Sequence, residues 1–134
     1  MAAKGIHHLG VAVADLDEAV ATYRTLFGAS LEHREVVEDQ GVEAALMRVG
    51  PARVELLSAL GDDTPVGRFL AKRGPGMHHV AYEVDDVAGE LERLAAAGTP
   101  LIDAAPRQGL HGLEVAFVHP DAAHGVLSEL VAGG

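Results

Sequence analysis

Two pairs of adjacent histidines, His7–His8 and His78–His79, stand 71 residues apart in matching contexts. Each pair follows a glycine and an apolar residue, and precedes an alternating run that ends at an aspartate, Asp15 in one case and Asp86 in the other. A repeat over half of the chain predicts a duplicated module. Imidazole nitrogen is a common ligand of divalent transition metals, so the repeat also indicates a metal site.

Two isolated glutamates strengthen that prediction. Glu55 stands among aliphatic residues in Arg53–Leu57, and Glu129 does so in Leu127–Val131, near the corresponding end of each half. A lone charge in a core strand is costly unless it is paired or bound to a metal. Two imidazoles and two carboxylates, in a chain without cysteine, predict a divalent site with nitrogen and oxygen ligands.

Alternation along the strands selects one histidine from each pair, because residues two apart share a face. His8 shares its face with the small Gly10 and Ala12, and His79 shares its face with Ala81. These faces are predicted to line a cavity, whereas His7 and His78 lie on bulky faces and are expected to be buried or at a rim. For the unrepeated His33, His111, His119 and His124, and for the acidic run Glu35–Asp39, we expect loop, turn or surface positions, with His111 and His124 as candidates for a cleft rim.

The elements that must position these groups read as βαβββ twice. Asp15 with Glu18 resembles a capping box before a helix that Gly28 ends, and a second helix runs from Asp86 to Gly98. After the initial strands that carry the histidines, we predict strands at Leu31–Val37, Val42–Val49, Arg53–Ala59, Leu101–Ala104, Leu113–Val118 and Val126–Val131. Thr64, Pro65 and Gly74 suit the start and end of a linking helix. We therefore expect a single domain, 1–134, made of modules 5–60 and 76–132 joined by a helical linker, 61–75.

Composition limits the class of protein. The 134 residues are 49% hydrophobic and 4% aromatic, which predicts one compact domain with a core of Val, Leu and Ala. The net charge of −10 makes nucleic acid a poor partner. No apolar stretch is long enough to span a bilayer, and the first residues lack the apolar core of a signal peptide. We expect a cytoplasmic protein without a membrane partner.

Several segments together resemble the methylmalonyl-CoA epimerase family of the vicinal oxygen chelate superfamily. They follow the family's order and spacing over nearly the whole chain, and they are His33–Val42, Val54–Leu57, Gly61–Val66 with Phe69–Leu70, Gly76–Asp86, Phe117–Pro120 and Gly125–Leu130. The resemblance implies an α+β fold in which two tandem βαβββ modules form a cupped mixed β-sheet with helices outside. It also implies a homodimer and one divalent metal ion, with cobalt favoured over manganese, nickel or zinc. By motif position the metal ligands are His8, Glu55, His79 and Glu129.

The activity that the resemblance implies is interconversion of (2R)- and (2S)-methylmalonyl-CoA, a CoA thioester of propionate metabolism, by removal of the C2 proton. Glu129 is the expected base for one face of C2. Some family members carry a glutamate for the other face at the position of Ala44, which leaves Glu43, His111 or water as candidates here. For the CoA phosphates the candidate cations are Arg68, Lys72, Arg73 and Arg107.

Three alternatives share the fold. A glyoxalase I-like lactoylglutathione lyase would use the same ligand set, although the segments around His33–Val42 and Gly61–Leu70 favour the epimerase. An extradiol dioxygenase would bind iron through two histidines and one carboxylate, and the fourth ligand position, Glu55, argues against it. A non-catalytic ligand-binding protein would not need four intact ligand positions.

Overall fold

The computed structural model describes residues 3–133, so residues 1, 2 and 134 of the predicted domain lie outside the described residues. The described chain divides into two compact units: one is His8–His78, and the other comprises the described residues before His8 and after His78. The helices are α1 (Leu16–Phe27), α2 (Pro65–Arg73) and α3 (Val87–Ala96). The strands are β1 (Gly5–Ala12), β2 (Ser30–Val37), β3 (Val42–Val49), β4 (Ala52–Ala59), β5 (Gly76–Glu83), β6 (Arg107–Gln108), β7 (Glu114–Val118) and β8 (Ser128–Ala132).

In the unit His8–His78 the strand order is β2-β3-β4-β1, with β1 parallel to β4 and the other pairs antiparallel. Helix α1 begins where the Asp15 carboxylate accepts a hydrogen bond from the Glu18 amide at 3.0 Å, and it ends at Gly28, whose φ of 64° suits glycine. Its apolar face buries Leu16 and Val20 against Met47 and other aliphatic side chains of β3 and β4. The helix therefore covers one face of these strands.

In the other unit the order is β5-β8-β7-β6, with β5 parallel to β8. Helix α3 packs Val87 and Leu91 against Ala116, Val118 and Leu130. The order of elements around the parallel pair repeats that of the first unit, as the duplicated histidine motif predicts.

A helix, α2, is present in the segment 61–75 where one was predicted. Thr64 accepts a hydrogen bond from the Gly67 amide at 3.0 Å, Pro65 opens the helix, and the chain turns at Gly74 with a φ of 73°. Among the described residues, no helix has the length and apolarity needed to cross a membrane.

The predicted strand Leu101–Ala104 is wrong, because the chain between two prolines bonds to β7 in another way. The Asp103 carboxylate accepts the Phe117 N–H at 2.8 Å, and the Phe117 carbonyl accepts the N–H groups of Ile102 and Asp103, both at 3.1 Å. The Asp103 carboxylate thus takes the Phe117 N–H, which a backbone carbonyl of a neighbouring strand would otherwise accept. Leu101 makes a single bridge to Val118, and the strand that pairs with β7 on the side away from β8 is the two-residue β6.

Candidate metal centre

The first unit brings His8 and Glu55 together. Strands β1 and β4 are parallel with Gly10 opposite Glu55, so the Glu55 side chain lies on the face that His8 occupies two residues before Gly10. The His8 Nε2 atom is 3.5 Å from the Glu55 Oε1 atom, and the two side chains are 4% and 9% exposed. A histidine and a carboxylate are therefore held, buried, on neighbouring strands.

The second unit repeats the arrangement with His79 and Glu129. Ala81 of β5 is opposite Glu129 of β8, so the histidine again stands two residues before the partner of the glutamate. The His79 Nε2 atom is 3.4 Å from Glu129 Oε1, and these side chains are 2% and 5% exposed. The ring of Phe117 packs edge-on against the His79 ring, with 5.7 Å between centroids and 89° between planes.

His8, His79 and Glu129 form a group that is able to bind a divalent metal ion. One ligand atom from each lies within 4.8 Å of the others, and all three residues are buried. Buried carboxylates need compensating positive charge, and a nitrogen–oxygen ligand set without sulfur suits divalent transition ions. The structure thus brings together three of the four predicted ligands and holds the fourth, Glu55, beside His8.

The other two histidines of the pairs lie as alternation predicts. His7 is buried, at 6% exposure. His78 is half-buried and packs edge-on against Phe69 of α2 at 5.0 Å between ring centroids. His111 lies exposed in the turn before β7 with a φ of 62°, so the prediction of a loop position is confirmed for this residue.

Glu43 lies on the opposite face of the sheet from His8 and Glu55. The β3–β4 register runs without interruption from Val42–Ala59 to Val49–Ala52, so no bulge in β3 turns Glu43 toward them. Instead its Oε2 atom accepts a hydrogen bond from Arg34 Nε at 3.0 Å, and Arg34 also contacts Asp17 of α1 at 2.7 Å. These two carboxylates, Glu43 first, raise the pKa of the Arg34 guanidinium. The bulge on which Glu43 depended as a candidate second base is therefore absent.

His33 and Glu35, for which the sequence predicted loop, turn or surface positions, lie in β2 on the sheet face that carries Glu55. His33 of β2 is opposite Leu46, which is itself opposite Glu55, and Glu35 is opposite Ala44. Paired residues of neighbouring strands share a face, so His33 and Glu35 lie on the same face as Glu55. The His33 Nε2 atom is 2.7 Å from Glu35 Oε1. The expected turn at Glu35–Asp39 is wrong for Glu35–Val37, which belongs to β2, whereas a 3₁₀ turn occupies Glu38–Gln40.

Three of the candidate cations for CoA are on α2 and are exposed: Arg68, Lys72 and Arg73. Arg68 donates to the Asp63 carbonyl, and the Arg73 guanidinium lies 5.7 Å from the centre of the Phe69 ring. Arg107, in the other unit, lies 3.5 Å from the Asp103 carboxylate. Lys72 and Arg73 are thus the adjacent exposed cations at the end of the helix.

Comparisons with known proteins identify a superfamily and several similar epimerases. A family model described as the Glyoxalase/Bleomycin resistance protein/Dioxygenase superfamily matches residues 7–117. The ethylmalonyl-CoA/methylmalonyl-CoA epimerase of Cereibacter sphaeroides is 36% identical over 93% of this chain and 95% of its own length. The crystal structure of methylmalonyl-CoA epimerase from Mycobacterium tuberculosis is 37% identical, covers 98% of this chain and 89% of that chain, and has a TM-score of 0.94.

A further structure, a methylmalonyl-CoA epimerase in complex with methylmalonyl-CoA and NH4+, is 36% identical, covers 99% of this chain and 96% of that chain, and has a TM-score of 0.95. These likenesses confirm the predicted fold class, an α+β fold with one mixed sheet of eight strands. They also confirm the resemblance that the sequence motifs indicated.

Proposed function

The chain belongs to the glyoxalase/bleomycin resistance protein/dioxygenase superfamily, and from this premise we propose that it is a metal-dependent epimerase that interconverts (2R)- and (2S)-methylmalonyl-CoA. The observation that carries the proposal is the buried group His8, His79 and Glu129, with Glu55 beside His8. It stands in a chain that is similar over nearly its whole length to epimerases of CoA thioesters. The ligand group is common to several activities, so the near full-length likeness selects this one.

The residues that would hold the metal ion are His8, Glu55, His79 and Glu129. When bound, a divalent ion supplies positive charge for the carboxylate and thioester oxygens of the substrate, which lowers the cost of the negative charge that develops when C2 loses its proton. Cobalt is the metal we favour, with manganese, nickel and zinc as alternatives. Two imidazoles and two carboxylates are nitrogen and oxygen donors of the kind that these divalent ions accept.

Proton transfer is the work of the protein's own side chains. We assign Glu129 as the base on one face of C2: its carboxylate takes the proton, and the electron pair of the C–H bond moves into the enolate of the thioester. Return of a proton to the opposite face of C2 completes the inversion. Glu129 is buried, which limits the competition of bulk water with C2 for its carboxylate.

Other features belong to the same proposal. The cations Lys72 and Arg73 would contact the phosphates of CoA, the chain would form a homodimer, and it would act in the cytoplasm in propionate metabolism. The dimer is testable by light scattering on the purified protein.

The direct test of the activity is C2 exchange in D₂O. Each epimer of methylmalonyl-CoA is incubated with the cobalt-loaded protein, and the C2 signal and the stereochemical purity are followed by NMR. We expect deuterium at C2 and loss of stereochemical purity from either epimer. Lactoylglutathione lyase activity without C2 exchange would contradict the proposal and move the function to the glyoxalase I-like alternative.

A further inference from the structure

Inversion at C2 needs a second proton-transfer group, and Glu43 does not face the site. A second group in the first unit must lie on the sheet face of His8 and Glu55, and its side chain must be able to give and take a proton. Register identifies His33 and Glu35 on that face, two strands from β4. This inference rests on the proposed epimerase function and extends it.

A bulge in β2 places these two residues there. Leu31 is opposite Met47, whose side chain belongs to the core under α1, whereas His33 is opposite Leu46, on the other face. The register therefore slips by one residue at Glu32, and every later residue of the strand changes face. Without the slip, His33 and Glu35 would point toward α1. The Glu32 carboxylate is held by Arg53 Nε at 3.1 Å, which anchors the bulged residue to β4.

His33 and Glu35 differ in the size of the β3 side chain that lies between each of them and β4. Leu46 lies between His33 and Glu55, so a bulky side chain occupies that row. Ala44 is opposite Glu35, so that row carries only a methyl group beside the carboxylate. Neighbouring strands are about 4.8 Å apart, a gap that a glutamate side chain can span. Glu35 is therefore the member with room to extend toward the substrate.

The Glu35 side chain is also both accessible and oriented. It is 36% exposed and His33 is 31% exposed, so a substrate can reach the carboxylate. The 2.7 Å contact between His33 Nε2 and Glu35 Oε1 fixes the direction of the carboxylate.

We propose that Glu35 is the second acid–base residue of the epimerase and that His33 positions its carboxylate. In one direction the C2–H bond breaks, its electron pair enters the thioester enolate, and the proton passes to Glu129. Glu35 in its acid form then delivers its own proton to the other face of C2, and the enolate electron pair forms the new C–H bond. In the reverse direction the two carboxylates exchange roles, and no oxidant or reductant is required.

The test is C2 exchange in D₂O by Glu35→Gln, measured separately from each epimer. A protein with one working base still exchanges the proton that this base can reach. We expect exchange from one epimer to fall by at least about 100-fold while exchange from the other stays within about threefold of the unsubstituted protein. Glu35→Asp should retain part of the lost exchange, and His33→Gln should lower the same epimer's exchange to a smaller extent.

The matched control is Glu43→Gln, which changes a glutamate of the neighbouring strand on the opposite face. It should leave exchange from both epimers unchanged. Cobalt affinity of Glu35→Gln should equal that of the unsubstituted protein, because Glu35 is not among the proposed ligands.

The outcomes separate the two levels of the proposal. If the unsubstituted protein exchanges the C2 proton of both epimers, and Glu35→Gln exchanges each of them at the same rate as the unsubstituted protein, Glu35 is not the second acid–base group. An equal loss for both epimers would also overturn that role, because a single base on one face cannot produce it. If the unsubstituted protein exchanges neither epimer, the proposed function itself fails.

Discussion

At the scale of single residues, the chain buries two glutamates at positions where an apolar side chain would avoid the desolvation cost of a charge. The side chains of Glu55 and Glu129 are 9% and 5% exposed, and each contacts a histidine that is buried as well. Buried charge is retained only where something compensates it. The divalent ion that we propose would compensate both carboxylates at once, and it would explain why both halves carry the same pair.

His8→Asn is therefore expected to weaken cobalt binding by at least about 10-fold, because an imidazole ligand is lost. His7→Asn is the matched control: it changes the adjacent buried histidine on the other face of β1 and should leave the affinity unchanged. Calorimetric titration of the metal-free proteins measures both. Equal losses in the two variants would contradict the assignment of His8.

Much of the site could be predicted at this scale, since the repeat and strand alternation need only the sequence. They identify His8 and His79, and the isolated glutamates follow from the pattern of charge in aliphatic strands. Glu35 could not be found in this way. Its face depends on the slip at Glu32, and a bulge of one residue leaves no signal in the alternation of polar and apolar residues.

At the scale of elements, α2 depends on a close approach of backbone to backbone. A Cβ atom at Gly67 would collide with the Gly61 carbonyl oxygen and lie 3.0 Å from Asp62 backbone atoms. Gly89 of α3 also lacks room, but there the nearest atom, at 2.6 Å, is the end of the exposed Asp86 side chain, which can rotate away. Backbone atoms therefore exclude a side chain at Gly67, whereas only a movable side chain obstructs one at Gly89.

Gly67→Ala should lower the free energy of unfolding by about 1–3 kcal/mol, because backbone must move to accept the methyl group. Gly89→Ala should be neutral or stabilise by up to about 1 kcal/mol, because alanine favours the helix once Asp86 has moved. Urea unfolding of the two variants checks the difference. A greater loss of stability in Gly89→Ala would show that the packing of Gly67 does not constrain α2.

The bounds of α1 and α2 were predictable because their caps are local: Asp15, Thr64 and the glycines that end the helices act within a few residues. The mistaken strand at Leu101–Ala104 has the opposite cause. The Asp103 carboxylate takes a backbone N–H of Phe117, 14 residues away, and such a long-range bond is not visible in a local pattern.

At the scale of the whole molecule, a net charge of −10 opposes an anionic CoA ester. Local cations must then offset the repulsion, and α2 supplies adjacent exposed ones at Lys72 and Arg73. Their effect should be electrostatic and should weaken with added salt. The charges of Lys72 and Arg73 should affect binding of the CoA part of the substrate, which is far from C2.

Lys72→Glu and Arg73→Glu should each raise KM for methylmalonyl-CoA by roughly 10-fold with a smaller change in kcat, since by our proposal the two cations would touch a part of the substrate that does not react. Arg24→Glu on α1 changes the net charge by the same amount and serves as the control. Steady-state kinetics at two salt concentrations separates the local effect from the global one. A fall confined to kcat would contradict this placement of the CoA phosphates.

Metal, buried ligands and proton transfer belong to one proposed site, so C2 exchange must depend on the metal. The protein is stripped of metal, cobalt is restored in steps, and deuterium incorporation at C2 is followed by NMR for each epimer. We expect no exchange above background without metal and exchange that rises with cobalt to a plateau at one ion per chain. Exchange at full rate in the stripped protein, or none at full occupancy, would contradict the account.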